Sequence, residues 1–163
     1  MIRLPEGLKI EEVPVEKRYR SVTAGLVRRI KLLYDAIHRR YGNDGLDLIR
    51  EVGRDYGLEI ARRAKKRFGS GDIRSVGLYV IRIFNTIRGE GEVVEFSDKR
   101  VVIRVRKCPY PWETPEVCEA HTQMEKSLVE ALGENLTYRI ESSIPKGDPY
   151  CDHIIEPRRE ERT

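Results

Sequence analysis

The chain is expected to fold as an α+β protein in which an N-terminal helical bundle packs on a four-stranded antiparallel sheet, ordered β-β-α-β-β. Three observations predict this. From about residue 20 to 88 apolar residues recur at steps of three and four. Near Gly89 the period switches to alternation, which is the mark of strands. The alternating segments then come in two pairs, separated by one helical stretch with its own start and stop signals. A length of 163 residues suits one domain with a substantial core. The expected organisation is an N-terminal extension over 1–19, a single α+β domain over 20–156 (helical part 20–89, sheet part 90–156) and a disordered tail over 157–163.

Each element has a local reason. In the first helix Val22, Leu26, Ile30, Leu33, Ile37 and Tyr41 form a stripe and Gly42 stops it. In the second, Leu46, Ile49, Val52, Tyr56, Ile60, Ala64 and Phe68 do the same, with Asn43 or Asp44 as cap and Gly69 as stop. The third opens at Asp72 and carries Ile73, Val76, Val80, Ile83, Phe84 and Ile87. These stripes are expected to face a core. Residues 92–96 and 100–106 are β-branched and alternating, and Ser97-Asp98-Lys99 joins them as a hairpin. Thr114-Pro115 reads as an N-cap followed by proline at the first helical position, opening a helix through Cys118, His121, Met124, Leu128 and Leu132 to Gly133. Two strands follow, 136–142 and 150–155, joined by a turn through Pro145-Lys146-Gly147-Asp148.

Composition narrows the function classes. Charged residues make up 36% and aromatics 7%, which describes a soluble chain whose arginine-rich surface would suit a thermophile's ion-pair networks. The net charge of +4 suggests an anionic partner, but the basic residues are interleaved with Asp and Glu and no aromatic row accompanies them. Nucleic acid is therefore not the expected partner. No apolar run reaches the length of a membrane span, and Met1-Ile2-Arg3-Leu4-Pro5 does not resemble a secretory leader, so a cytoplasmic protein is expected. The expected partner is a small-molecule ligand or substrate, and a homodimer stays open.

The chemistry is concentrated in the last third. All three cysteines and two of the three histidines fall there, as Cys108-x9-Cys118-x2-His121 and Cys151-x-His153. Cys118 and His121 share one helical face, while Cys151 and His153 point to the same side of a strand. If that strand neighbours the hairpin, these groups converge with Cys108 at a strand end. Thiolates and imidazoles bind borderline-soft metals and attack electrophilic carbon. The cluster is therefore either a metal site holding zinc or an iron–sulfur cluster through Cys108, Cys118, Cys151 and His121, or a metal-free thiol site. In the thiol reading Cys118 near a helix N-terminus is the nucleophile, its pKa lowered by the backbone dipole, and His121 or His153 moves protons. Buried cysteine is also an ordinary packing residue, which is the plain alternative for each. Trp112 belongs either to the core or to a pocket entrance, and His38 is expected at the surface. Phosphate-binding loops, nucleophile elbows, zinc-protease helices and deaminase motifs are absent from the sequence.

The segment Cys108-Pro109-Tyr110, then Cys118, then Glu141 late in a strand, then Gly147-Asp148-x2-Cys151-x-His153-Ile154-Ile155 resembles the L-2-amino-thiazoline-4-carboxylic acid hydrolase-like family and the related 4-vinyl reductase small-molecule-binding domain. The resemblance spans roughly residues 92–155, and its most specific part is the strand-turn-strand ending in Gly-Asp-x-x-Cys. The hydrolase-like branch implies opening of a cyclic amidine or another C–N bond. The 4-vinyl reductase branch implies non-enzymatic binding of a small hydrophobic molecule, with a structural zinc held by Cys118, Glu141 and Cys151. A further cysteine of that family is missing, because Ile144 stands in its place. The pocket implied by the matching motifs includes Tyr110, Trp112 and Asp148.

Overall fold

The computed structural model describes residues 12–69, 71–87 and 89–158. The first two expected helices form one element, α1 (Val15–Phe68), which starts inside the expected extension. Gly42 has φ 56° and ψ −128°, so the helix bends there instead of ending. Glycine has no Cβ to strain at positive φ. Gly69, at φ 75°, caps α1 as the sequence predicts. In α2 (Ile73–Thr86), Asp72 accepts a hydrogen bond from the Ser75 amide at 2.8 Å, fixing the start of the helix. Strands β1 (Glu90–Phe96) and β2 (Val101–Lys107) form the expected hairpin.

The helix expected through Gly133 is divided into α3 (Pro115–His121) and α4 (Gln123–Leu132). Thr114 caps α3 by accepting from the Val117 amide. The break falls at Thr122, whose hydroxyl donates to the Glu119 carbonyl at 3.0 Å, a local bond that competes with the helical ladder. Strands β3 (Leu136–Ile140) and β4 (Cys151–Pro157) complete a four-stranded antiparallel sheet in the order β1-β2-β4-β3. The α+β class and the β-β-α-β-β order of the sheet part are those of the expected fold.

Register defines the inner face. Val105 pairs with Cys151, Ile103 with His153 and Val101 with Ile155, while Ile140 and Tyr138 lie beyond them on β3. Val76, Val80 and Phe84 of α2, Leu128, Val129 and Leu132 of α4, and Ala61 and Ala64 of α1 bury this face. The outer face carries ion pairs instead. Arg104 grips Asp152 through two 2.8 Å hydrogen bonds and lies 3.7 Å from the Tyr150 ring centre, while Arg100 and Arg139 both reach Glu141 and Glu156.

The stripes of α1 differ in phase from the expectation. Val22, Leu26, Leu33, Tyr41, Val52 and Tyr56 are exposed. The first limb packs through Ile30, Tyr34 and Ile37 against a second small core of Leu46, Ile49, Trp112, Val117, Cys118 and Ala120. Asp35, fully buried, meets Lys31 Nζ at 2.6 Å, near enough for an ion pair though off the line of a hydrogen bond. The second limb crosses α4 through Gly53 and Gly57. His38, expected at the surface, is half-buried with Nδ1 3.4 Å from the Thr114 hydroxyl. Pro157 closes β4 and the Arg158 amide donates to the Asn135 carbonyl, so these two residues extend the sheet region; the remainder of the expected tail, 159–163, lies outside the described residues. Among the described residues no helix is long and apolar enough to cross a membrane.

Candidate functional site

The chain leaves β2 at Lys107 and crosses to α3 through Cys108–Trp112, which turns this loop over one end of the inner sheet face. Tyr34, Trp112 and Tyr110 stack in that order, with ring centres 5.8 and 5.2 Å apart. His121 lies against the last two, 4.7 Å from each ring centre. The short helix α3 brings Cys118 and His121 inward, and α4 adds Glu125. From the sheet come Cys151 and His153, and from α2 comes Phe84, whose ring meets His153 edge-on at 4.8 Å.

All of these groups except Tyr34 border one cavity of about 40 Å³, room for a few water-sized groups. Cys108, Cys118, Cys151, His121, His153, Tyr110 and Trp112 all line it, beside the apolar Phe84, Val105 and Ile140. A wider surface depression of about 260 Å³ lies outside and shares Cys118, Thr122 and Ile140 with it. Those three side chains border both spaces, so the depression adjoins the cavity as a vestibule.

Two of the residues singled out in the sequence stand elsewhere. Glu141 directly follows the end of β3, and since Ile140 faces the cavity, Glu141 faces away and pairs with Arg100 and Arg139. Asp148 is exposed, and its Oδ2 accepts from the Ser143 amide at 2.7 Å, tying the turn before β4. Three participants were not singled out. Glu125 is buried and lines the cavity, Phe84 forms part of its wall, and the Tyr138 hydroxyl hydrogen-bonds His153 Nδ1.

Burial sets the electrostatics. It pushes the Cys118 thiol up to about 12 and the Cys108 thiol up to about 11, with neighbouring thiols and Glu125 adding to both. The Cys151 thiol is raised for the same first reason. The lowering expected from the α3 dipole is thus outweighed at Cys118, because one helix end is worth at most about 2 kcal/mol and the thiol sits in an apolar wall. Burial also depresses His121 and His153 to about 4, so both imidazoles are neutral at pH 7. Glu125 is raised to about 7.

The donor set does not form a metal centre as arranged. Among the described residues no group of three or more His, Cys, Asp or Glu side chains is placed to hold a metal ion. Cys108 Sγ–H donates to the Tyr110 carbonyl at 2.9 Å, and Cys151 Sγ accepts from the Ile144 amide at 3.2 Å. With Glu141 turned outward as well, these side chains as placed do not converge on one metal position.

No family model matches the chain, and no curated protein matches it. Among solved structures the chain is similar to a trafficking protein particle complex subunit 3 from Naegleria fowleri, described as covalently bound to palmitic acid. The TM-score is 0.60 at 11% identity, covering 88% of this chain and 99% of that one. At that identity the likeness is one of fold.

Proposed function

We propose that this chain is a small-molecule-binding protein whose occupant places an apolar group in the cavity between α2, α3, α4 and the sheet. The observation that carries the reading is the state of the lining. Thiols, imidazoles and aromatic rings meet there, and burial holds the thiols and imidazoles in their neutral forms at pH 7. A wall made largely of apolar and uncharged side chains, with an adjoining vestibule, suits capture of a small hydrophobic molecule. The similar fold of a protein described as carrying palmitic acid supports an apolar occupant.

Trp112, the only tryptophan, borders the cavity and serves as its own reporter. Titration with hexan-1-ol should change its fluorescence saturably, and Cys118→Phe, which fills the wall shared by cavity and vestibule, should weaken that response at least about tenfold. A linear, unsaturable response in the parent protein would sink the proposal.

A second reading, hydrolysis of a cyclic amidine or related C–N bond with Cys118 as nucleophile, is favoured by one observation: Glu125, with its pKa near neutrality, borders the same cavity as Cys118. The two readings differ in thiol reactivity. If the cavity only binds, Cys118 should alkylate with iodoacetamide at pH 7.5 roughly a thousandfold more slowly than free cysteine, because so little of it is thiolate. Rapid alkylation, together with turnover of a cyclic amidine that Cys118→Ser abolishes, would establish the hydrolytic reading in its place.

A further inference from the structure

Glu125 is the most costly side chain in the cavity. Its residue is 6% exposed, and Oε2 is buried with no hydrogen-bond partner. The carboxyl takes its own backbone amide and nothing else, and nothing positive offsets the burial that raises its pKa. Residues that feel its charge come from every side: Tyr34 of α1, Cys108 and Tyr110 of the loop, Cys118 of α3 and Tyr138 of β3. The neutral His121 and His153, and Cys151, complete the titratable wall. Among the described residues the cavity lining contains no lysine or arginine.

A buried carboxylate oxygen without a partner is destabilising unless something supplies one. Tyr110, the end ring of the aromatic stack, lines the same space, and an aromatic face attracts positive charge through the ring quadrupole. A bound carboxylate or phosphate would instead confront Glu125 in a medium that screens little. We propose that the Glu125 carboxylate, together with the ring of Tyr110, is the recognition site for a primary ammonium group, so that the occupant of this cavity is a small apolar amine. This rests on the binding reading above and specifies the polar end of its ligand. The alkyl part would extend past Cys118, Thr122 and Ile140 into the vestibule. Binding brings a cation to Glu125 and so favours its ionised form, and below pH 7 the proton it held leaves to solvent.

The test compares hexylamine, hexan-1-ol and hexanoate, which share one chain and differ in the head group, by Trp112 fluorescence at pH 8. Hexylamine is expected to bind about ten- to a hundredfold tighter than hexan-1-ol, the worth of a hydrogen bond to a charged group, and hexanoate weakest of the three. Calorimetry at pH 6 should show proton release with hexylamine and none with hexan-1-ol. Glu125→Gln keeps the shape and removes the charge, and it should reduce the preference for hexylamine over hexan-1-ol to within about threefold. Thermal melting of this variant confirms that it is folded when assayed. If hexan-1-ol binds but hexylamine has no advantage, or the advantage survives in Glu125→Gln, the ammonium site is overturned and the apolar cavity stands. If none of the three binds, both are overturned.

Discussion

Gly57→Val should lower the melting temperature by about 6–12 °C, corresponding to about 3 kcal/mol in a chain of this size. The cause is the crossing of α1 over α4. A Cβ on Gly57 would stand 2.3 Å from the Met124 carbonyl oxygen, 3.1 Å from the Leu128 amide nitrogen and 3.1 Å from the Ser127 Cβ. Two of those three are backbone atoms, so no rotamer relieves the clash, and the helices must separate. Gly57→Ala makes the sharper comparison. In an exposed helix it would stabilise by about 1 kcal/mol, because alanine is the better helix former. Here it should destabilise, since its one added methyl already meets the Met124 carbonyl. Val52→Ala, on the exposed side of the same helix, should move the melt by no more than about 0.5 kcal/mol. A Gly57→Ala protein as stable as its parent would mean that the two helices do not cross at this point.

That crossing explains why the phase of α1 was hidden in the sequence. Its buried face in the second limb runs Leu46, Ile49, Gly53, Gly57, Ala61 and Ala64. Glycine carries no apolar signal, so a search for hydrophobic recurrence steps to Val52 and Tyr56, which are exposed. The elements themselves were legible because their punctuation is local: Asp72 capping α2, Thr114-Pro115 opening α3, Gly69 closing α1. The meeting of Cys118 and His121 with Cys151 and His153 at one cavity was legible too, because helix and strand periods fix which side chains share a side. Glu141 was placed in the site by family resemblance alone, and strand alternation after Ile140 turns it outward. Glu125 carried a weak signal of its own. It falls in the series His121, Glu125, Leu128, Leu132, all buried. A glutamate in the first turn of a helix ordinarily serves its dipole in solvent, however, and only the docking of the loop and sheet over it decides otherwise.

The stability of the folded chain should peak near pH 6.5 and fall on both sides, for reasons that Glu125→Gln separates. His121 and His153 are depressed from 6.5 to about 4 in the folded protein. The unfolded chain therefore binds their protons first, and stability is lost as pH falls from about 6.5 towards 4. Each contributes on the order of 3 kcal/mol across that window. Glu125 acts with the opposite sign. Its pKa is raised from 4.5 to about 7, so the folded state holds the proton more tightly and stability falls as pH rises from about 4.5 to 7. Between 4.5 and 6.5 the two histidines outweigh the one glutamate, leaving a net loss of roughly 1.4 kcal/mol for each unit of acidification. Between 6.5 and 7 only the glutamate is titrating, and stability drops again towards alkaline pH. Removing its charge should flatten the profile above pH 6.5 and double the slope below it. At pH 8 the variant should exceed the parent by on the order of 3 kcal/mol relative to their difference at pH 4. Urea unfolding across pH 4–8 for both proteins measures this directly. Parallel profiles would mean that Glu125 is solvated in the folded protein, and the cavity would then be wet and open at its inner end.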